Sequence, residues 1–180
     1  MSMLKLGVAA AGAVLLAGCF VSDAPMFDAS TASAAPLQPG LYDACSEPPE
    51  NDGEDCEKIE VVWRKDGAYR FQIEDENPIV ARFHEIDATT YAAQFEDDDG
   101  DGYQYYWARR EPQGLLLAMI WCDDLPAAMR DAMKADGLIE NEKGDSTCTV
   151  LKPEAVIMAA QAYGEGSVAG DSAVRLTRAR

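Results

Sequence analysis

Alternation of apolar and polar residues over strand-length segments is the feature that most restricts how this chain can fold. Six successive segments have the length and composition of strands, most with a two-residue period: 59–65, 68–74, 78–86, 89–96, 103–110 and 114–122. Turn-forming pairs such as Asp66 with Gly67 and Asn77 with Pro78 separate them. Strands joined by short turns pair with their sequence neighbours. Together with the segment that begins at Gly40, the pattern predicts an antiparallel meander of six or seven strands.

The alternation also identifies the face of the sheet that is buried. Large apolar residues recur at alternate positions in three of the segments: Ile59, Val61 and Trp63; Tyr69, Phe71 and Ile73; Tyr91, Ala93 and Phe95. Alternate residues of a strand point to the same side. We therefore predict that these side chains form the core.

Two segments towards the C-terminus have helical spacing. Residues 123–137 place apolar residues three and four apart and end at Gly137, and residues 153–164 begin at Pro153 and end at Gly164. Segment 114–122 is almost continuously apolar, which is typical of a strand covered on both faces. The sequence thus predicts an α+β fold, with a curled or barrel-like antiparallel sheet packed by two C-terminal helices.

The N-terminus has the organisation of an export signal. Lys5 precedes an uninterrupted apolar run at residues 6–16, which is shorter than the roughly 20 residues that a membrane-spanning helix needs. The run leads into Leu16, Ala17, Gly18 and Cys19. Here the chain resembles the bacterial lipoprotein precursors, whose signal ends in leucine, two small residues and an obligatory cysteine. The alternatives are an ordinary signal peptide cut nearby, which discards Cys19, and a buried apolar helix.

This resemblance implies a lipid anchor at Cys19. The sulfur would carry a diacyl group, the peptide bond before it would be cut, and a fatty acid such as palmitate would acylate the new amine. The next residue is Phe20 and not the aspartate that resembles an inner-membrane retention signal, which favours the outer membrane. The expected location is the cell envelope, membrane-anchored and facing the periplasm.

Composition divides the chain into four parts. Residues 1–18 are the predicted signal peptide, and residues 19–39, rich in Ala, Ser, Thr and Pro without a period, are predicted to be a flexible tether. Residues 40–164 are predicted to form one globular domain, which is large enough for a hydrophobic core of its own. Residues 165–180 are predicted to be a flexible tail or a last edge strand, of which the tail is favoured.

Four cysteines remain for the domain once Cys19 is set aside: Cys45, Cys56, Cys122 and Cys148. An even number in an exported protein predicts disulfides, for which three connectivities exist. We favour Cys45 with Cys56 and Cys122 with Cys148, because each pair closes a local loop. The spacings contain no C-x-x-C pair, which argues against a redox or zinc motif.

The charge balance restricts the partners. The chain contains 32 acidic and 15 basic residues, a net charge of −17. Such a surface repels phosphate, which excludes nucleic acid as a partner and favours a cationic one. A basic envelope protein or peptide is the expected partner, alongside the membrane that holds the lipid.

The sequence contains little that indicates catalysis. Ser167 is the nearest match to a nucleophile elbow, but Glu165 stands where the first glycine belongs. His84, the one histidine, lies within a predicted strand. Carboxylates are so numerous that their proximity in sequence does not identify a catalytic pair. A hydrolase using carboxylates is therefore the lesser alternative.

Two non-enzymatic functions remain. The first is a binding or accessory protein that uses its acidic surface or an aromatic sheet face made of Trp63, Tyr103, Tyr105 and Trp107. The second is a small-molecule carrier with an apolar pocket inside the curled sheet. A filled interior would favour the first function, and an enclosed cavity the second.

The acidic segment 96–102 resembles part of a calcium loop. Asp97, Asp99 and Asp101, followed by a glycine, match the first ligands of the EF-hand pattern. Position 12 of that pattern is Ala108, and the flanking segments have the period of strands. We therefore predict a hairpin tip and no cofactor, with calcium binding at these aspartates as the lesser alternative.

The lipid anchor gives the first testable prediction. We expect Cys19→Ala to release the protein from the membrane fraction and to abolish its labelling with radioactive fatty acid, because the thiol is the attachment site. Fractionation and labelling of the parent and the variant measure both effects. A variant that still labels and still fractionates with membrane would contradict the lipoprotein hypothesis.

Overall fold

The computed structural model describes residues 18–47, 56–74, 76–96, 102–141, 146–166 and 173–179. Within these ranges the chain forms eleven strands and two helices. The strands are β1 (Phe20–Ser22), β2 (Gly40–Glu47), β3 (Cys56–Trp63), β4 (Tyr69–Ile73), β5 (Ile79–Glu85), β6 (Thr90–Glu96), β7 (Tyr103–Glu111), β8 (Gly114–Met119), β9 (Ile139–Glu140), β10 (Cys148–Val150) and β11 (Ala173–Arg178). The helices are α1 (Ala127–Ala135) and α2 (Pro153–Gly164).

Eight strands form a closed antiparallel barrel. Strands β2 to β8 pair in sequence order, and β11 lies between β8 and β2. Closure leaves these strands without a free edge. The predicted α+β fold, a barrel-like meander packed by two helices, is confirmed.

Strand β11 corrects the prediction for the C-terminal segment. Leu176 pairs with Ala44 of β2 on one side and with Leu115 of β8 on the other, so β11 is neither a tail nor an edge strand. Gly114 permits this close approach, because a Cβ at that position would overlap the carbonyl oxygen of Leu176. A tail was favoured because the polar, Gly-containing stretch before residues 173–178 outweighed the alternation within them.

Side chains fill the interior of the barrel over most of its length. The residues predicted for the core from β3, β4 and β6 all belong to the interior cluster or pack against it. Aromatic rings make much of the contact, as where Tyr69 meets Phe83 edge to face at a centroid distance of 5.6 Å. An eight-stranded barrel has an interior about wide enough for such side chains. The interior is therefore a packed core and not an enclosed pocket.

A second cluster covers the outer face of β6, β7 and β8. Trp107 of β7 stacks with Tyr163 of α2 at a centroid distance of 6.4 Å. Strand β8 places Leu115 and Leu117 in the interior, whereas Ala118 belongs to the outer cluster. Burial of both faces explains why segment 114–122 is almost continuously apolar, as predicted. The small residues of α2 that let it approach the sheet are Ala155, Ala159, Ala160 and Ala162.

Residues 20–37, here called the strap, pack against the barrel, in contrast to the flexible tether predicted for residues 19–39. The strap begins with β1, which pairs with β7 and β10. Phe20, Phe27 and Ala32 are buried in the outer cluster, and Leu37 joins the interior cluster. These four residues are spaced irregularly along the chain, so no periodic pattern predicts their burial. Burial of their apolar side chains nonetheless stabilises the docked strap.

A buried glutamine fastens the middle of the strap to the barrel. The side-chain oxygen of Gln94 accepts hydrogen bonds from the backbone N–H groups of Met26 and Phe27 at 2.7 and 2.9 Å. Its amide nitrogen donates to the carbonyl oxygen of Phe27 at 3.2 Å. Gln94 is 3 % exposed. Satisfying these backbone groups offsets the cost of burying an irregular segment.

Two buried tyrosines hold the ends of the strap. The Tyr105 hydroxyl is 2.6 Å from Oγ of Ser22, and the Tyr69 hydroxyl bonds both the N–H and the carbonyl of Leu37. Burial raises the pKa of each phenol to about 12. Both phenols are therefore harder to ionise in the folded chain than in the unfolded one.

Both disulfides have the predicted local pairing. Cys45 and Cys56 are cross-strand partners on β2 and β3. Cys122, just after β8, bonds to Cys148 of β10. Since β10 pairs with β1 and β9, the second bond ties this small sheet to the barrel.

The closing strand gives a stability prediction. Leu176→Ala should lower the free energy of unfolding by about 2–4 kcal/mol, because it leaves a cavity in the interior. Val174→Ala is the matched control on the same strand; Val174 is 40 % exposed, and we expect a loss below about 1 kcal/mol. Chemical denaturation of the oxidised protein measures both values. Equal, small losses would contradict the closed barrel.

The two tyrosines predict a loss of stability in alkali. The unfolded phenol has a pKa of about 10, and the folded pKa of Tyr69 and Tyr105 is about 12. The unfolded chain therefore loses these protons first, so the stabilisation is present below about pH 10 and is lost as the pH rises to about 12. Unfolding curves across this window should show the decline. It should be shallower in Tyr69→Phe/Tyr105→Phe, and an unchanged slope would contradict the assignment.

Candidate binding site at the open end of the barrel

One end of the barrel opens into a cavity of about 630 Å³, here called the mouth cavity. It lies where β2 and β4 end and where β3 and β11 begin. Its volume is within the rough range of 300–1,000 Å³ that is common for small-molecule sites. The lining residues are Ala44, Ser46, Cys56, Glu57, Ile59, Ile73 and Val174.

The mouth cavity exists because the inward side chains near this end of the barrel are smaller, or are packed against fewer neighbours, than those in the core. On β2 the inward position after Tyr42 is Ala44, so a ring is followed by a methyl group. On β11, Leu176 is 2 % exposed, whereas Val174 is 40 % exposed. The packed core therefore stops below the rim, and an apolar wall is left open to solvent.

Glu57 places a carboxylate on this wall. It is the cross-strand partner of Ala44 and lies two residues before Ile59, so it shares the inward face. The Cys45–Cys56 disulfide occupies the neighbouring register position, with a Cα to Cα distance of 4.2 Å. The bond fixes the two strands that carry Glu57 and Ala44 at the rim.

The strand ends around the mouth cavity are acidic. Glu74, Glu76 and Glu96, next to or within the ends of β4 and β6, are exposed, and Glu47 at the end of β2 accepts a hydrogen bond from Arg175 at 2.7 Å. The exposed carboxylates of the described residues attract cations to this end.

The predicted aromatic face does not exist as one surface. Trp63 points inward, 4.6 Å from the ring of Tyr69, whereas Tyr103, Tyr105 and Trp107 of β7 point outward. Tyr105 is 0 % exposed beneath the strap, and Trp107 is 7 % exposed beneath α2. Tyr103 is partly buried against the same outer cluster. The alternation on β7 was correct, but the sequence did not show that its outward face is covered.

His84 has a structural role. Its Nδ1 is 2.6 Å from the carbonyl oxygen of Thr31, and its ring stacks on Phe27 at a centroid distance of 5.2 Å. Both partners belong to the strap. His84 therefore holds the strap against β5.

Cys19, the predicted lipid site, lies inside the packed structure. Its Sγ is 3.2 Å from Sδ of Met119, and its backbone forms an isolated bridge with Trp121. Burial raises the pKa of this thiol. Cys19 as a whole residue is 2 % exposed, so it is covered in this arrangement.

The candidate calcium ligands Asp97, Asp99 and Asp101 lie outside the described residues. Among the residues that the structure does describe, no group of three or more His, Cys, Asp or Glu is arranged to hold a metal ion.

Sequence reasoning missed Glu57 as a site residue, although a signal was present. Counting back by two from Val61 and Ile59 leads to Glu57, so a carboxylate interrupts the apolar face at the end of a strand. The exposure of Val174 left no comparable signal, because the local sequence does not show which side chains lie beside it.

Comparison with known proteins gives no relative. No family model, no curated protein and no solved structure matches this chain. Neither α1 nor α2, the helices of the described ranges, has the length and apolar character needed to cross a membrane.

Proposed function

We propose that this chain is an exported, lipid-anchored protein of the bacterial envelope that binds a basic protein or peptide. The signal that ends at Cys19 supports export and anchoring, and the two disulfides suit an oxidising compartment. A small disulfide-containing β-barrel fits a binding or carrier protein. The observation that carries the binding role is the mouth cavity, in which an apolar wall and the carboxylate of Glu57 are surrounded by acidic strand ends.

A lysine or arginine side chain matches the mouth cavity. Its methylene groups would lie along Ile59 and Ile73, and its charged end would reach Glu57. Further basic residues of the same partner would be attracted by the acidic strand ends. Long-range attraction of this kind speeds association and selects the sign of the partner's charge.

The groups that most often catalyse have other roles here. His84 bonds to Thr31, and the four domain cysteines are paired as disulfides. These structural roles favour a binding function over an enzymatic one, and a hydrolase using carboxylates remains the lesser alternative.

The second candidate function is a small-molecule carrier, and the volume of the mouth cavity favours it. Tyr69, Phe71 and Phe83 fill the interior, so the ligand would occupy the mouth cavity and not a deep pocket. With Glu57 on the wall, the expected ligand is a compact amphipathic cation such as an alkylamine. A neutral lipid would form no ion pair with Glu57.

Lipid attachment at Cys19 places a requirement on assembly. The thiol lies against Met119 in a buried residue of the folded arrangement. We therefore propose that acylation precedes the docking of β1, while the strap is still accessible. A modified Cys19 would then remain outside the barrel when the rest of the strap docks.

The mouth cavity gives a binding prediction with a matched control. Glu57→Gln should weaken binding of a Lys- and Trp-containing basic peptide to the oxidised mature protein by about tenfold, because it removes a charged hydrogen-bond partner. Glu60→Gln removes an exposed carboxylate three residues along the same strand, on the outward face, and should change the affinity by less than about twofold. Isothermal titration calorimetry at low salt measures both.

Two further measurements distinguish the two candidate functions. Raising the salt from about 0.05 to about 0.5 M should weaken peptide binding, because exposed charges are screened. Tighter binding of hexylamine than of the peptide would favour the carrier. Equal effects of Glu57→Gln and Glu60→Gln would show that the partner responds to the net charge of the protein and not to Glu57 itself. An affinity that does not change with salt would contradict the acidic-surface hypothesis.

A further inference from the structure

A second cavity, of about 480 Å³, lies at the opposite end of the barrel and carries two arginines. It is located where β7 passes into β8 and where β11 ends, beside the last residues of the strap. We call it the arginine cavity. The residues of its wall that matter here are Leu37, Tyr42, Arg110, Gln113 and Arg178.

Strand register places both arginines at this rim. Arg110 lies two residues after Ala108 on β7, and Arg178 lies two residues after Leu176 on β11. Ala108 and Leu176 both belong to the interior cluster, so the arginines occupy the next inward positions. The interior face of the barrel thus ends in two guanidinium groups.

Neither arginine has a carboxylate partner within the described residues. Nη2 of Arg110 donates to the carbonyl oxygen of Ala35 at 3.4 Å, and Nη1 of Arg178 donates to Oε1 of Gln38 at 2.6 Å. By contrast, most other described arginines form ion pairs: Arg64, Arg82, Arg109, Arg130 and Arg175. Arg110 and Arg178, both exposed, thus give this cavity a local positive charge in a chain whose net charge is −17.

Glu111, the carboxylate among the described residues of the wall, does not neutralise them. Glu111 pairs with Arg175 through one oxygen and lies 3.5 Å from Arg109 through the other. Arg110 is instead positioned by an aromatic ring, with its guanidinium carbon 5.5 Å from the centroid of Tyr91. Each guanidinium has five N–H donors, and the neutral acceptors use few of them.

We propose that the arginine cavity binds a small organic oxyanion, meaning a carboxylate or phosphate group on a compact, partly apolar body. Two guanidinium groups match the oxygen geometry of either group and form strong, charge-assisted hydrogen bonds with it. The apolar body would contact Leu37, and the amide of Gln113 offers a further donor. This site is separate from the mouth cavity in position and in the charge that it selects.

The test uses the full mature protein with its disulfides intact. Calorimetric titration with benzoate, phenyl phosphate and inorganic phosphate should show binding of the two aromatic anions, and tighter binding of phenyl phosphate than of inorganic phosphate. Arg110→Gln and Arg178→Gln should each weaken that binding by about tenfold or more, the loss of one charge-assisted contact. Arg70→Gln is the control, because Arg70 is exposed on β4 away from the cavity, and it should bind like the parent.

Further variants and controls complete the test. Arg178→Lys keeps the charge but not the planar pair of donors, so its affinity should lie between those of the parent and Arg178→Gln. If Arg178→Gln does not fold, Arg110→Gln and Arg178→Lys carry the test. Absence of anion binding at millimolar concentration, or equal weakening in Arg70→Gln, would overturn the proposal. So would arginine-dependent binding to phosphatidylglycerol vesicles without binding of free anions, which would assign the site to lipid headgroups.

Discussion

Pairing of β11 with both β2 and β8 is the interaction on which the rest of the structure depends. It converts a meander with two free edges into a barrel, and Gly114 makes room for it. The same strand reaches both ends of the barrel, with Val174 at the mouth cavity and Arg178 at the arginine cavity. A chain that stopped before residue 173 would lose the closure and one wall of each cavity.

The two ends of the barrel carry side chains of opposite charge among the residues that the structure describes. Acidic residues flank the end that carries Glu57, whereas Arg110 and Arg178 face the other. Between them, rings such as those of Tyr69 and Phe83 fill the interior, so the two cavities are not continuous. The two proposed sites would therefore select ligands of opposite charge, and a substitution at one is expected to leave the other unchanged.

Local regularity determined what the sequence could predict. The two-residue period assigned the inward positions from Ile59 to Phe95, and loop closure selected the Cys45–Cys56 and Cys122–Cys148 pairs. The strap was missed because its buried residues have no period and depend on partners such as Gln94 that lie far away in sequence. The aromatic face failed for a related reason: Tyr105 and Trp107 are on the expected side of β7, but distant segments cover them. The cavities depend on where strands end, which composition does not specify.

Docking of the strap also limits the distance between the barrel and a membrane that holds a lipid anchor. A free tether of about 20 residues would extend up to about 70 Å, but β1 begins one residue after Cys19 and is paired on both sides. A lipid at that cysteine would therefore hold the barrel against the bilayer with little freedom to rotate. The anchor would then act as a steric filter, admitting small ligands and partners already close to the membrane while excluding bulky assemblies from the side that faces the lipid.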